Sequence, residues 1–276
     1  MKKFPTALVL LSLCGFCAAL AAQQPSSGNS KQSQRAGKHV PQAKTHPEFN
    51  DYNAAYATAG GAAVEKAADE FAAKYPTSEL KAYLYAKAMH EYQNENNPAK
   101  MLSVGEKVLQ VDPDNSIALV LTSTVLADSL NDADTDRESK IARTKKNATH
   151  ALDIVDSAFE PPANATPEQV AAYKSTLKSM AHSALGIVAL KTGDDATAEN
   201  ELKLSTSLNV TQPDPYLWYH LALAQDHQKK YPEALVSINH ALQVMGGNAD
   251  LGELAKGEQK RLLTLTGGNA PSPAPK

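Results

Sequence analysis

The chain has 276 residues, with 27 Lys plus Arg against 30 Asp plus Glu, and is 42% apolar but only 6% aromatic. A net charge of −3, with Lys140, Arg143, Lys145 and Lys146 as the basic cluster of note, argues against nucleic-acid binding, which needs Lys and Arg clustered on phosphates. Both cysteines, Cys14 and Cys17, lie in the first stretch, so the remainder offers no disulfide, thiol nucleophile or thiolate metal site.

Lys2-Lys3 followed by the apolar run Ala7 to Leu20 has the layout of a secretory signal peptide, residues 1–22. Ala19-Leu20-Ala21 supplies a small-x-small cleavage site, with cleavage before Gln23 as the alternative. Phe4 to Ala22 is also long enough for an uncleaved membrane anchor. Leu13 and Phe16 precede the two cysteines, where lipid modification needs a small residue. The expected location is therefore periplasmic or secreted, with an inner-membrane-anchored form facing the periplasm as the alternative. Residues 23–47 carry Lys31, Arg35, Lys38 and Lys44 and no acid, and have too little apolar surface to offset ordering entropy. They read as a disordered basic leader. Without Lys2, Lys3 and those four, 21 basic residues face 30 acidic ones over the rest of the chain.

From residue 48 to 266 the pattern is helical throughout, with no alternating stretch flanked by hairpin turns. Lys74-Tyr75-Pro76 closes one amphipathic stretch and Asp112-Pro113 the next, 37 residues on. Between them lie Tyr85, Ala88 and Tyr92, then Met101, Val108 and Leu109. Ile117, Leu119, Leu121 and Leu126 predict a buried helix, which Asp114-Asn115-Ser116 could cap. Ile141, Ala148, Ala151, Leu152 and Val155 predict another, after the acidic insert Asn131 to Asp136. The connector Pro161 to Pro167 follows, with Thr166-Pro167-Glu168-Gln169 as a helix start. Next come Leu185-Gly186, a turn at Gly193-Asp194, and Ala198, Leu202 and Ser205. Ser205 and Ala241 are small residues in matching segments, 36 residues apart. In the last unit Trp218 stands three residues before Leu221-Ala222, and Ala234, Ile238, Ala241 and Leu242 share a helical face. A final helix from Asn248 to about Leu265 would cover the last apolar face, before a flexible tail at 267–276.

The order Trp218, Leu221-Ala222, then Ala234 to Ala241 resembles the tetratricopeptide repeat (TPR), W-x₂-L-G-x₂-Y, then A-x₃-F, then P. The resemblance covers about residues 49–246. It implies an all-α, right-handed α-solenoid of about five TPR-like helix pairs with a C-terminal capping helix. Three residues depart from the pattern: Gln225 stands at its Tyr, His182 at an aromatic and Ser205 at an Ala. Phe71 to Pro76 resembles the TPR variant of the outer-membrane assembly lipoproteins. The resemblance assigns Tyr85, Tyr92, Leu185, Gly186, Ala198, Trp218, Leu221, Ala234 and Ala241 to packing between repeats.

No catalytic or metal signature appears: there is no G-x-S-x-G elbow, P-loop or dinucleotide fingerprint, and His90-Glu91 has no histidine four residues on. His220 and His227 share a helix face but are separated by a rise of about 10 Å, too far to hold one ion together. We therefore expect no catalytic residue, metal or other cofactor. By the resemblance, the first helix of each pair presents a groove to a protein or peptide. Repeat register then points Tyr83, His90 and Asn94 inward from one unit, and Tyr216, Tyr219, Leu223 and His227 from another. The Lys and Asn set of the chaperone-binding TPR clamp is missing from these places. The expected function is a non-enzymatic scaffold or adaptor of a bacterial envelope. The alternative is a periplasmic assembly factor for outer-membrane or secreted clients.

Overall fold

The computed structural model describes residues 41–161, 164–209, 212–246 and 249–268. The signal segment, most of the basic leader and most of the tail lie outside these. Among the described residues all regular structure is helical. The helices are α1 (His46–Tyr56), α2 (Gly61–Lys74), α3 (Lys81–Asn94), α4 (Pro98–Val111), α5 (Ser116–Ser129), α6 (Arg137–Ala158), α7 (Pro167–Lys191), α8 (Asp195–Leu208), α9 (Pro215–His227), α10 (Tyr231–Val244) and α11 (Ala249–Leu265). They form five successive helix pairs and a final single helix. α1 starts at His46, within the stretch read as leader, because Thr45 caps it by accepting from the Glu48 amide at 3.2 Å.

Local chemistry sets the helix starts. Asn97 Oδ1 accepts from the Lys100 amide at 3.2 Å and Asn115 Oδ1 from that of Ala118 at 3.0 Å. Asp194 Oδ1 accepts from Thr197 at 3.2 Å and Asp214 Oδ1 from Tyr216 at 2.8 Å. Thr166 and Gln169 exchange amide-to-side-chain bonds at 3.3 and 2.9 Å, a reciprocal capping box. The ends are equally regular. Asn97 N donates to Tyr92 O, Asp194 N to Ala189 O and Lys230 N to Gln225 O, each at 2.9 Å. Each bond closes over a residue with positive φ: Asn96 at 52°, Gly193 at 79° and Lys229 at 61°. Three pairs thus share one Schellman turn between first and second helix.

The chain divides into two compact units. Unit 1 comprises the described residues up to Val125 with Thr149–Lys174, and unit 2 comprises Leu126–Ala148 with the described residues from Ser175 onward. In unit 1, α2 packs against both α1 and α3, and α3 against α4. Val64, Ala68, Leu84, Ala88, Met89, Met101, Val104 and Val108 are buried there. In unit 2, Ala189, Ala198, Leu202, Leu217, Leu221 and Ala224 join α7, α8 and α9 in one cluster. Ala222, Ala234, Leu235, Ile238, Ala255 and Leu262 join α9, α10 and α11 in another, so α11 covers the last pair. Each fully buried Leu contributes about 2 kcal/mol of transfer free energy.

Small residues allow the closest crossings. A Cβ on Gly186 would meet Leu202 Cγ at 2.7 Å, and one on Gly105 would meet Thr122 Cγ2 at 2.6 Å. Ser205 is completely buried against Ser179, with each hydroxyl donating to the other's carbonyl at 2.8 Å. The hydroxyl is therefore accommodated where the repeat pattern has a methyl. The acidic insert is held to its own helix: Asp134 accepts from Asn131 N at 3.1 Å and from Lys140 Nζ at 2.8 Å.

Candidate functional site

The expected partner-facing side chains of unit 1 all lie on α3. Tyr83 is half-buried and its hydroxyl donates to Glu160 Oε2 at 3.0 Å. Burial first, then the Glu160 charge, hold this phenol well above its usual range. His90 is half-buried and Asn94 exposed, with Asn94 Nδ2 3.3 Å from His90 Nδ1. Beneath them, Tyr52 on α1 is 1% exposed and its hydroxyl has no partner, as has Glu48 Oε1.

In unit 2, Tyr216, Tyr219, Leu223 and His227 follow one stripe of α9. The first three are half-buried and His227 is exposed, with Nδ1 2.9 Å from Asp195 Oδ1. Tyr219 packs against the α9–α10–α11 cluster, and burial raises its phenol. Of the side chains assigned to packing, Tyr85, Tyr92, Gly186, Ala198, Leu221, Ala234 and Ala241 are buried, while Leu185 and Trp218 keep partial exposure. The Trp218 ring lies 4.0 Å from that of His240.

Gln225, in place of the pattern's Tyr, belongs to a buried polar ladder. Its Nε2 donates to Glu199 Oε1 at 3.4 Å and its Oε1 accepts from Ser237 at 2.7 Å. Glu199 also accepts from Lys203 and Lys230, both at 2.6 Å, and from Gln228 at 3.0 Å. Burial works to raise this carboxyl, but Lys203, Lys230 and Gln228 outweigh it and hold it at about 2. His182, another departure, sits 2.7 Å from Glu201 Oε2.

Sequence reasoning did not find a second set of groups in unit 2. Lys191 ends α7, and its ammonium donates to the carbonyls of Ala127, Asp128 and Leu130 at 2.8, 2.8 and 2.9 Å, capping the end of α5. Arg137 donates in turn to Lys191 O at 3.0 Å. The Lys191 charge acts on Asp128 and on His220, and that of Asp214 on Asp128. Burial pushes the Asp128 carboxyl up to about 6 against the pull of Lys191, raises Asp214, and drives His220 down to about 4. His220 Nδ1 is buried without a partner. These residues come from α5, α7 and α9, and no local motif joins them. Of these residues the sequence singled out His220 alone, and only to set aside a metal ion shared with His227.

Among the described residues no group of three His, Cys, Asp or Glu is placed to hold a metal ion, and no helix is long and apolar enough to cross a membrane. No protein-family profile and no curated protein matches the chain. Among solved structures it is similar to a thermophilic TPR protein of Thermus thermophilus. The two are 14% identical, over 76% of this chain and 98% of that one, with a TM-score of 0.45.

Proposed function

We propose that this chain is a non-enzymatic protein–protein interaction scaffold of the bacterial envelope, an adaptor that binds a partner segment along the first helices of its pairs. The observation that carries the reading is the α9 stripe, where Tyr216, Tyr219 and Leu223 stay partly exposed while Leu217, Leu221, Ala222 and Ala224 on the same helix are buried. Partly exposed aromatic side chains on a rigid helix suit peptide anchoring. The lysine pair and apolar run at Lys2 to Leu20 support export.

The test is in-cell crosslinking of tagged protein, followed by mass spectrometry of the envelope fraction. One dominant partner, lost in Tyr216→Ala and in Tyr216→Ala with Tyr219→Ala at unchanged helicity, is the expected result. The single variant carries the binding test because Tyr219 also packs against the α9–α10–α11 cluster. Unchanged partner capture in both variants would remove α9 as the binding face. Many exported clients at low stoichiometry would replace the adaptor with an assembly factor.

A further inference from the structure

We propose that the hairpin formed by the end of α6 and the start of α7 is a built-in brake on the unit 1 partner face, with the Glu160 carboxylate as an internal competitor for the Tyr83 hydroxyl. It rests on reading the first helices as partner-binding, and adds to that reading a part of the chain that occupies the N-terminal end of α3 first.

Helix length gives the first indication. α6 and α7 have 22 and 25 residues, whereas α2, α3, α4, α5, α8 and α10 have 14 each. The excess is about two turns on α6 and three on α7. It belongs to unit 1: Thr149–Lys174 groups with the helices up to Val125, while the rest of α6 and α7 belongs to unit 2. At the base of the hairpin, His150 Nε2 lies 2.8 Å from Asp114 Oδ1, just before α5. Nearer the tip the two arms fasten to each other. Phe159 is buried and stacks on the Tyr173 ring at 5.8 Å, and Lys174 Nζ donates to Asp156 O at 2.7 Å. Glu160, the second residue past α6, is thereby delivered to α3, where its Oε2 accepts from the Tyr83 hydroxyl at 3.0 Å.

The contact has the character of an occupant that can leave. It is polar, and both side chains keep partial exposure, so Glu160 can turn into water at the loss of one hydrogen bond. Its position matters because Tyr83 begins the stripe that His90 and Asn94 continue, seven and eleven residues on along one helix face. A segment laid along α3 therefore meets Glu160 at its first anchor. A phenol O–H donates to one acceptor at a time, so a backbone carbonyl of the partner takes the Tyr83 hydroxyl only in place of the carboxylate. A hydrogen bond to a charged acceptor is worth roughly tenfold in such an exchange.

The experiment uses the full chain with the photo-crosslinker benzoylphenylalanine in place of His90 on α3 or of Leu223 on α9, each combined with native Glu160, Glu160→Gln or Glu160→Ala. Irradiation in cells should capture one dominant envelope partner at Leu223 in all three backgrounds. At His90 its yield should be low with native Glu160 and rise roughly tenfold in Glu160→Ala. Glu160→Gln should fall between, because its amide oxygen still accepts from Tyr83. A measurement without the partner stands beside this one. N-acetylimidazole should acetylate the Tyr83 hydroxyl several-fold faster in Glu160→Ala than in the native chain, read by peptide mass spectrometry, with the urea midpoint unchanged. Equal acetylation, or a midpoint lowered in Glu160→Ala as core packing would require, overturns the brake. So does a His90 yield indifferent to residue 160 while Leu223 captures the partner. Faster acetylation and a higher His90 yield in Glu160→Ala, with no capture at Leu223 and none lost in Tyr216→Ala, overturns the α9 partner face alone.

Discussion

In unit 1 the Tyr92 hydroxyl reaches back to Glu65 on the preceding pair at 2.7 Å, whereas in unit 2 the Gln225 amide reaches back to Glu199 at 3.4 Å. The two positions correspond, because each residue's carbonyl closes the same Schellman turn. In both units lysines complete the site: Lys100 and Lys107 on Glu65, Lys203 and Lys230 on Glu199. The surroundings differ. Unit 1 lays Lys100 over the Tyr92 ring at 5.8 Å and Lys107 over Tyr85 at 5.2 Å, and Lys107 has Asp69 as a second partner at 2.8 Å. Unit 2 has no aromatic ring there and relies on two amides and a hydroxyl: Gln225 and Ser237 depend on Glu199 or on each other, whereas Gln228 also donates to the carbonyls of Asp195 and Ala224 at 3.0 Å. The lesson is that both units keep a carboxylate-centred joint between consecutive pairs while the side chain that bridges it changes, and that the aromatic version is the more redundant.

The largest expected effect follows from that redundancy. Glu199→Ala should destabilise the protein by about 3 kcal/mol, because Gln225 loses its buried, charged acceptor and Gln228 keeps only the carbonyls of Asp195 and Ala224. Glu65→Ala should cost about 1 kcal/mol, since Lys107 keeps Asp69 and the lysines can rehydrate. Equilibrium urea unfolding followed by circular dichroism measures both, and equal losses would break the comparison.

Exchanging the bridge comes next. Gln225→Tyr restores the repeat pattern's own residue, yet it should lower stability by about 2 kcal/mol. The new ring overpacks a fully occupied joint, and Ser237 loses its acceptor. A stable Gln225→Tyr protein would mean that the polar ladder is incidental to the packing.

Acid should expose the same joint. Glu199 has a folded pKa of about 2, below its ordinary 4.5, so its contribution is complete above pH 4.5 and is lost as pH falls from there toward 2. With its lysines half-exposed, that loss should be about 2 kcal/mol. Asp128 and His220 act over a higher window and in opposite directions: raised Asp128 gains stability as pH falls through about 6, whereas depressed His220 loses it on the way to about 4. The Glu65, Asp51 and Asp134 carboxyls are also held below their ordinary range, so Glu199 shares the decline below pH 4.5 with them, and a urea series from pH 5 to 2.5 should show it shallower in Glu199→Ala.

The helix pairs were legible in the sequence because they rest on local signals. Small residues at Gly186, Ala198, Ser205 and Ala241, turns at Gly193-Asp194, and caps at Thr166 and Asn115 all depend on neighbours within a few positions. Five pairs and a final covering helix follow from them. The expected α9 stripe was legible for the same reason, since i, i+3 and i+7 spacing needs only one helix. What could not be read was any feature assembled across elements. Gln225, His182 and Ser205 were visible as departures, but their partners Glu199, Glu201 and Ser179 lie 19 to 26 residues away on other helices. Lys191 had no signal at all, because its role is to cap a helix that ends 61 to 64 residues earlier. The engagement of Tyr83 by Glu160, 77 residues on, was hidden likewise.

The smallest effect tests the turns themselves, which the two units build alike but with different residues. Unit 1 places Asn96 at the left-handed position, and Asn can hydrogen-bond locally there. Unit 2 uses Gly193 in one pair and Lys229 in the next, the latter an exposed side chain at φ 61°. A Cβ in this conformation is strained, whereas glycine has no Cβ but loses more freedom on folding. The strain exceeds the entropy difference, so Lys229→Gly should raise stability by about 0.5 kcal/mol, with Asn96→Gly closer to neutral. The converse change, Gly193→Ala, should cost about 1 kcal/mol even though nothing lies within 4 Å of its added Cβ. Because that site is open, any loss measured by urea unfolding reports backbone conformation and not a clash. If Gly193→Ala proved neutral, the positive φ would not be what terminates this helix, and the Asp194 to Ala189 bond alone would have to hold the turn.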